Sequence, residues 1–161
     1  MSRNNVLETW ACANEGCEAM ELLVAVLTGW IALHTGLSSV EPPQIELVTP
    51  STMSERAFGP GVAGSPLLRA LYSQPANTVY LRKNWDASNL RDRSELLHEL
   101  VHHFQNVHKL PYGCGAEREK LAYELQIQWL REQGIADPYE FLEINAFFVV
   151  MASVCRDADH D

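Results

Sequence analysis

The sequence predicts an α+β fold, with about four helices around a small, mostly antiparallel sheet. Three observations carry this. Glu18–Leu37 is mostly apolar and closes near Gly36, as a helix does. The short segments Gln44–Val48, Leu67–Tyr72 and Thr78–Arg82 are bounded by Pro, Gly and Asn, as strands are. The second half then carries three longer stretches without internal proline or glycine. At 161 residues the chain reads as a single domain, 1–161, with a core over about 18–155 and an acidic tail over 156–161.

Taken in order, the apolar run inside the first helix, Leu22 to Leu33, is shorter than the roughly 20 residues that cross a bilayer. Glu15, Glu18 and Glu21 precede it where a signal peptide carries positive charge. The expectation is therefore a buried helix, no transmembrane segment and a cytoplasmic protein. Pro42-Pro43 leads into the strand Gln44–Val48, and Ser51–Phe58 reads as a brief helix before a Gly/Pro-rich loop from Gly59 to Pro66. The strands Leu67–Tyr72 and Thr78–Arg82 flank a turn-forming Ser73–Asn77. A helix over Ser94–His108 follows, with Asp92 or Ser94 as its cap and Glu95 completing a capping box. Further helices are expected over Ala116–Gln133, stopped by Gly134, and over Pro138–Cys155.

Composition removes some functions. The net charge is −9, and no basic stripe is present to neutralise phosphates, so nucleic acid is not an expected partner. Four cysteines are too sparse for a disulfide framework and read as reduced thiols, Cys12 and Cys17 lying too far apart for a C-x-x-C pair. A Cys114–Cys155 bridge is the alternative, and it goes with an exported protein.

The chemistry is concentrated in His98-Glu99-Leu100-Val101-His102, an H-E-x-x-H on a helix. Residues four apart stack on one helix face, so both imidazoles can reach one ion. Glu99 is turned about 100° from His98, near a water activated by that ion and positioned as general base. Leu97, Val101 and Phe104 lie on one flank, and Leu96, Leu100 and Val107 on the other, so the helix is expected to be buried. Buried histidines need partners, and a metal is one.

A site of this kind needs a third protein ligand, for which the following helix offers Glu117, Glu119 and Glu124. Ala122, Tyr123, Gln126 and Leu130 fall within roughly 60° of Glu119 on a helical wheel. Glu117 and Glu124 fall with Lys120, Gln128 and Arg131, a wet face. Glu119 is the expected inward carboxylate, although Arg118 or a histidine could also pair with it. Gln105, near the ligand face, is a candidate to support a ligand histidine.

Ser94–Gln105 followed by Glu119-Lys120-Leu121-Ala122-Tyr123 resembles a gluzincin, in which H-E-x-x-H is joined by a glutamate from a downstream helix. It is similar to the E-x-x-A-D pattern of prenyl-protein-type and heat-shock membrane endopeptidases, with Tyr123 where they have Asp. It also resembles a group of short, uncharacterised bacterial proteins marked by H-E-L-V-H-H-x-Q, a Cys and R-E-x-x-A-Y-x-x-Q. Here those are His98 through Gln105, Cys114, and Arg118 through Gln126, and the likeness extends over about Leu67–Leu130. The resemblance implies a minimal zincin-like core, an active-site helix and a third-ligand helix packed on a small sheet, with Zn²⁺ held by His98, His102 and Glu119. The expected function is a zinc metallopeptidase with Glu99 catalytic and a peptide or protein as substrate, although the resemblance itself implies no known substrate. Tyr123 orients a ligand histidine, donates to a developing oxyanion, or packs as an aromatic. A zinc-bearing binding or regulatory module without turnover is the alternative.

Overall fold

The segment Thr78–Arg82 opens on two β-branched residues and an aromatic, and it forms the strand that is buried on both faces. In the computed structural model, which describes residues 15–156, this strand lies at the centre of a three-stranded sheet. β1 (Gln44–Val48) runs parallel to β3 (Thr78–Arg82) with Gln44 opposite Thr78. β2 (Ala70–Ser73) runs antiparallel to β3 with Ala70 opposite Leu81. The sheet is thus mixed, not mostly antiparallel. A parallel pair needs a long crossover, and α2 (Pro50–Phe58), the Gly/Pro-rich loop and β2 together supply it. The β2–β3 hairpin turns through Asn77 at φ 48°, a conformation Asn tolerates.

α3 (Leu90–Val107) packs on β2 and β3. Its cap is Asn89, whose side chain accepts from the N–H groups of Arg91 and Asp92, so the helix starts earlier than Asp92 or Ser94 would allow. Asp92 is engaged elsewhere, accepting from Arg69 and from the Asp86 N–H. Glu95 pairs with Arg69 and Arg91, not with a capping backbone N–H. Leu96, Leu97, Leu100 and Val101 are fully buried, and Phe104 almost so. Val107, expected on an apolar flank, is 47% exposed because it lies in the final turn.

α4 (Glu117–Glu132) lies antiparallel along α3: His98 meets Gln126, while Gln105, about 10 Å or two turns further along α3, meets the Arg118 carbonyl. The expected last helix is two. α5 (Pro138–Leu142), capped by Asp137, ends at Glu143 in the left-handed region (φ 58°), and Asn145 then caps α6 (Ala146–Ala152). α6 packs on α4, and a Cys114–Cys155 disulfide ties the loop ahead of α4 to the segment after α6. No cysteine among the described residues is free, so the expectation of reduced thiols does not hold there. Cys12 and the tail beyond Arg156 lie outside the described residues.

α1 (Glu15–Thr35) presents Val24, Leu27, Thr28 and Ile31 to the core and leaves Leu22, Val26 and Leu33 exposed. It is buried along one stripe only. By length and composition alone, Gly16–Thr35 is long and apolar enough to cross a membrane, which the shorter run Leu22–Leu33 is not.

Candidate metal centre

His98 and His102 lie one turn apart on α3, and Glu119 reaches them from the first turn of α4. His98 Nε2 is 3.1 Å from Glu119 Oε2, and His102 Nε2 is 3.2 Å from Glu119 Oε1. The three donor atoms lie within 4.8 Å of one another, and this cluster can hold a metal ion. Glu117 is turned away and accepts from the Gly113 N–H at 2.6 Å, and Glu124 is exposed on the opposite side. Glu119 does not pair with Arg118.

Two glutamines decide which ring nitrogens are available. Gln126 Nε2 donates to Ser94 Oγ (3.1 Å), which turns its amide oxygen toward His98 Nδ1 at 3.0 Å. Gln105 Nε2 donates to the Arg118 carbonyl (2.9 Å), turning its amide oxygen toward His102 Nδ1 at 2.9 Å. An amide oxygen only accepts, so both Nδ1 atoms carry protons and donate. The Nε2 lone pairs of the neutral rings are left facing the Glu119 carboxylate. Lone pairs aimed at a carboxylate require a cation or a proton between them. Two imidazoles and a carboxylate are the donor set of an open, water-accepting metal site.

Without a metal, a proton on His98 Nε2 can face the carboxylate instead. Burial would raise the Glu119 carboxyl, but hydrogen bonds and charge from His102 and His98 hold it far below the usual carboxylate range. Burial works to lower His98, yet contact with Glu119 and the charge of Glu99 outweigh it and leave the imidazole raised.

Glu99 projects to the side of the triad. One of its oxygens accepts from the Tyr72 backbone N–H at 2.7 Å, on the free edge of β2. Its other oxygen makes no hydrogen bond among the described residues. Tyr123 packs edge-on against His98 with ring centroids 4.7 Å apart, and Phe148 of α6 packs edge-on against Tyr123. The Tyr123 hydroxyl makes no hydrogen bond to a ligand histidine. Burial first, and then the charges of Glu119, Glu99 and Glu95, push it up to about 12. These groups line a cleft of about 700 Å³, together with Leu67–Tyr72, Arg91, Glu95, Arg118 and Leu142–Ile144.

The sequence reading brings His98, Glu99, His102, Glu119, Tyr123 and Gln105 to one site, and the structure assembles all six around the cleft or directly behind it. It misses Gln126, although the wheel puts that residue on the Glu119 arc. It also misses the Tyr72 N–H, a backbone group with no side-chain signature. His103, His108 and His34 lie elsewhere: His103 faces Tyr72 and Glu41, His108 donates to the Ser38 carbonyl, and His34 stacks on Trp30.

Fold and site together define a small α+β protein with a two-histidine, one-carboxylate cluster between antiparallel helices that could hold a cation. The chain belongs to the family described as a domain of unknown function (DUF6647), whose model matches residues 16–161. No curated protein and no solved structure matches it.

Proposed function

We propose that this protein is a zinc-dependent hydrolase of peptide or amide bonds, of the zincin type that its H-E-x-x-H suggests. One observation carries the reading: Gln126 and Gln105 fix both histidines with Nδ1 protonated, so that both Nε2 atoms converge with Glu119 on one point. Buried amides that select this tautomer have a clear role around a metal, where such partners orient the ligand rings. The His₂Glu set suits zinc better than calcium or magnesium, which prefer oxygen ligands. When bound, zinc supplies a Lewis acid that polarises a carbonyl and acidifies a water.

The chain's own groups do the rest. Glu99, anchored through one oxygen to the Tyr72 N–H, keeps its other oxygen available to take a proton and return it to the leaving amine. The Tyr123 hydroxyl stays protonated at neutral pH and lines the cleft, so it can donate to the oxygen on which charge develops. The cleft volume suits a few residues of an extended peptide. The Cys114–Cys155 bridge supports an exported protein over a cytoplasmic one.

The test is Glu99→Gln in zinc-loaded protein assayed on a peptide library. Expected are unchanged zinc content and turnover reduced by about 10²–10⁴-fold. A Glu99→Gln protein that hydrolyses the same peptides at the wild-type rate sinks the mechanism. Full zinc occupancy with no turnover in the wild type leaves a zinc-bearing binding module instead.

A further inference from the structure

Three arginines line the cleft, and two are neutralised. Arg69 pairs with Asp92 and Glu95, and Arg91 pairs with Glu95 and Glu143. Arg118 enters no ion pair among the described residues. Its Nη2 donates to the His102 carbonyl at 3.3 Å, its guanidinium rests over the Tyr112 ring, and no carboxylate among the described residues pairs with it. A guanidinium that lines a cleft without a carboxylate partner keeps charge that a ligand anion can meet.

From this we propose that Arg118 is a carboxylate-binding residue of the cleft, and that the substrate carries a carboxylate close to the bond that is cut. The proposal rests on the metal-hydrolase reading of the same site. The α4 axis gives the layout. Arg118, Glu119 and Tyr123 all line the cleft from α4, and Arg118 and Tyr123 are separated by about 7.5 Å of helix rise, with Glu119 between them. The cleft therefore offers a cation at the His102 end, the metal triad in the middle, and an aromatic wall of Tyr123 and Phe148 at the His98 end.

The Arg118 end is also the start of α4, which has no side-chain cap, and the helix dipole there favours an anion further. A guanidinium presents a planar pair of donors, which matches a carboxylate better than a neutral carbonyl. The nearest carboxylate in sequence, Glu119, is committed to the histidines, and Glu117 is held by the Gly113 N–H. The charge of Arg118 is left for a ligand.

The experiment measures binding, not turnover, by calorimetry on the zinc-loaded full chain. The probes are three thiols: mercaptoacetyl-phenylalanine, its C-terminal amide, and mercaptoacetyl-aspartic acid α-amide. The thiol seeks the metal, and the probes differ in whether a carboxylate is present and whether it is terminal or on a side chain. Expected is about ten- to hundredfold tighter binding of at least one carboxylate probe than of the phenylalanine amide. A preference for the first probe means a C-terminal carboxylate, and a preference for the third means an acidic side chain. In Arg118→Met the ratio falls to about one, and Arg118→Lys restores part of it by returning the charge without the fork. Zinc stoichiometry is read for each variant. Equal binding of all three probes by the wild type overturns the carboxylate site and leaves the metal reading standing. A ratio that persists in zinc-loaded Arg118→Met overturns the assignment to Arg118. No binding of any probe, with no zinc retained, overturns both.

Discussion

His102 and His103 are consecutive, both are buried, and they do opposite work. His102 faces the cleft with Nδ1–H given to Gln105 and Nε2 turned toward Glu119. His103 faces the sheet, where Nε2–H donates to the Glu41 carbonyl at 2.7 Å and Nδ1 accepts from the Tyr72 hydroxyl at 3.2 Å. Burial lowers the His103 imidazole, against a smaller opposing effect from its bond to Glu41, so it sits as a satisfied neutral ring. A step of about 100° around one helix separates a histidine with a coordinating lone pair to offer from one whose two nitrogens are both used. Burial alone therefore says nothing about function. The count of unused lone pairs does.

The largest effect that sharpens this contrast is loss of the metal. His98→Ala or His102→Ala should take zinc content from about one equivalent to near none, read by elemental analysis of untagged protein. Glu119→Ala should do nearly as much, and full occupancy in that variant would remove Glu119 from the ligand set. Next comes the packing that both faces share. Leu100 is fully buried on α3, and Leu100→Ala should cost about 2–5 kcal/mol of stability in denaturant unfolding. Zinc should still bind whatever protein remains folded.

A smaller effect belongs to the glutamines. Gln126→Ala frees His98 to adopt either tautomer, and zinc affinity should fall by about 10–100-fold in a chelator competition. An unchanged affinity would mean that Gln126 is there for Ser94 and the core, not for the ring.

Much of this contrast was legible beforehand in local pattern. The i, i+4 histidines, the wheel position of Glu119 and the apolar flanks of α3 all follow from helix periodicity, which one helix sets by itself. The strands β1 and β3 fall at their expected bounds because the turn residues that flank them are also a local signal. What was not legible depends on separated segments meeting. The parallel pairing of β1 with β3, the Gln126 contact across 28 positions and the Tyr72 N–H on Glu99 are tertiary facts. The split of the last helix is local but subtle. Glu143 takes a left-handed conformation that glycine usually fills, and Asn145 offers a cap that Asp137-Pro138 had already provided upstream. α1 shows the limit from the other side: its apolar sequence suggests burial all round, whereas one face remains exposed.

The smallest expected effect falls on the sheet face, and it tests whether the two faces are separate. His103→Phe keeps a flat ring but leaves the Glu41 carbonyl without its donor and the Tyr72 hydroxyl without one acceptor. Stability should fall by about 1–3 kcal/mol. Tyr72 retains its bond from Asn106 Nδ2, and its backbone N–H still reaches Glu99, so β2 has other anchors. Zinc stoichiometry should therefore be unchanged, since none of the three ligand side chains touches His103. Tyr72 is nevertheless the one residue that meets both faces, through its hydroxyl on one and its N–H on the other. If His103→Phe also lowered zinc occupancy, the independence of the faces would be lost, and the edge of β2 would be a part of the metal site in its own right.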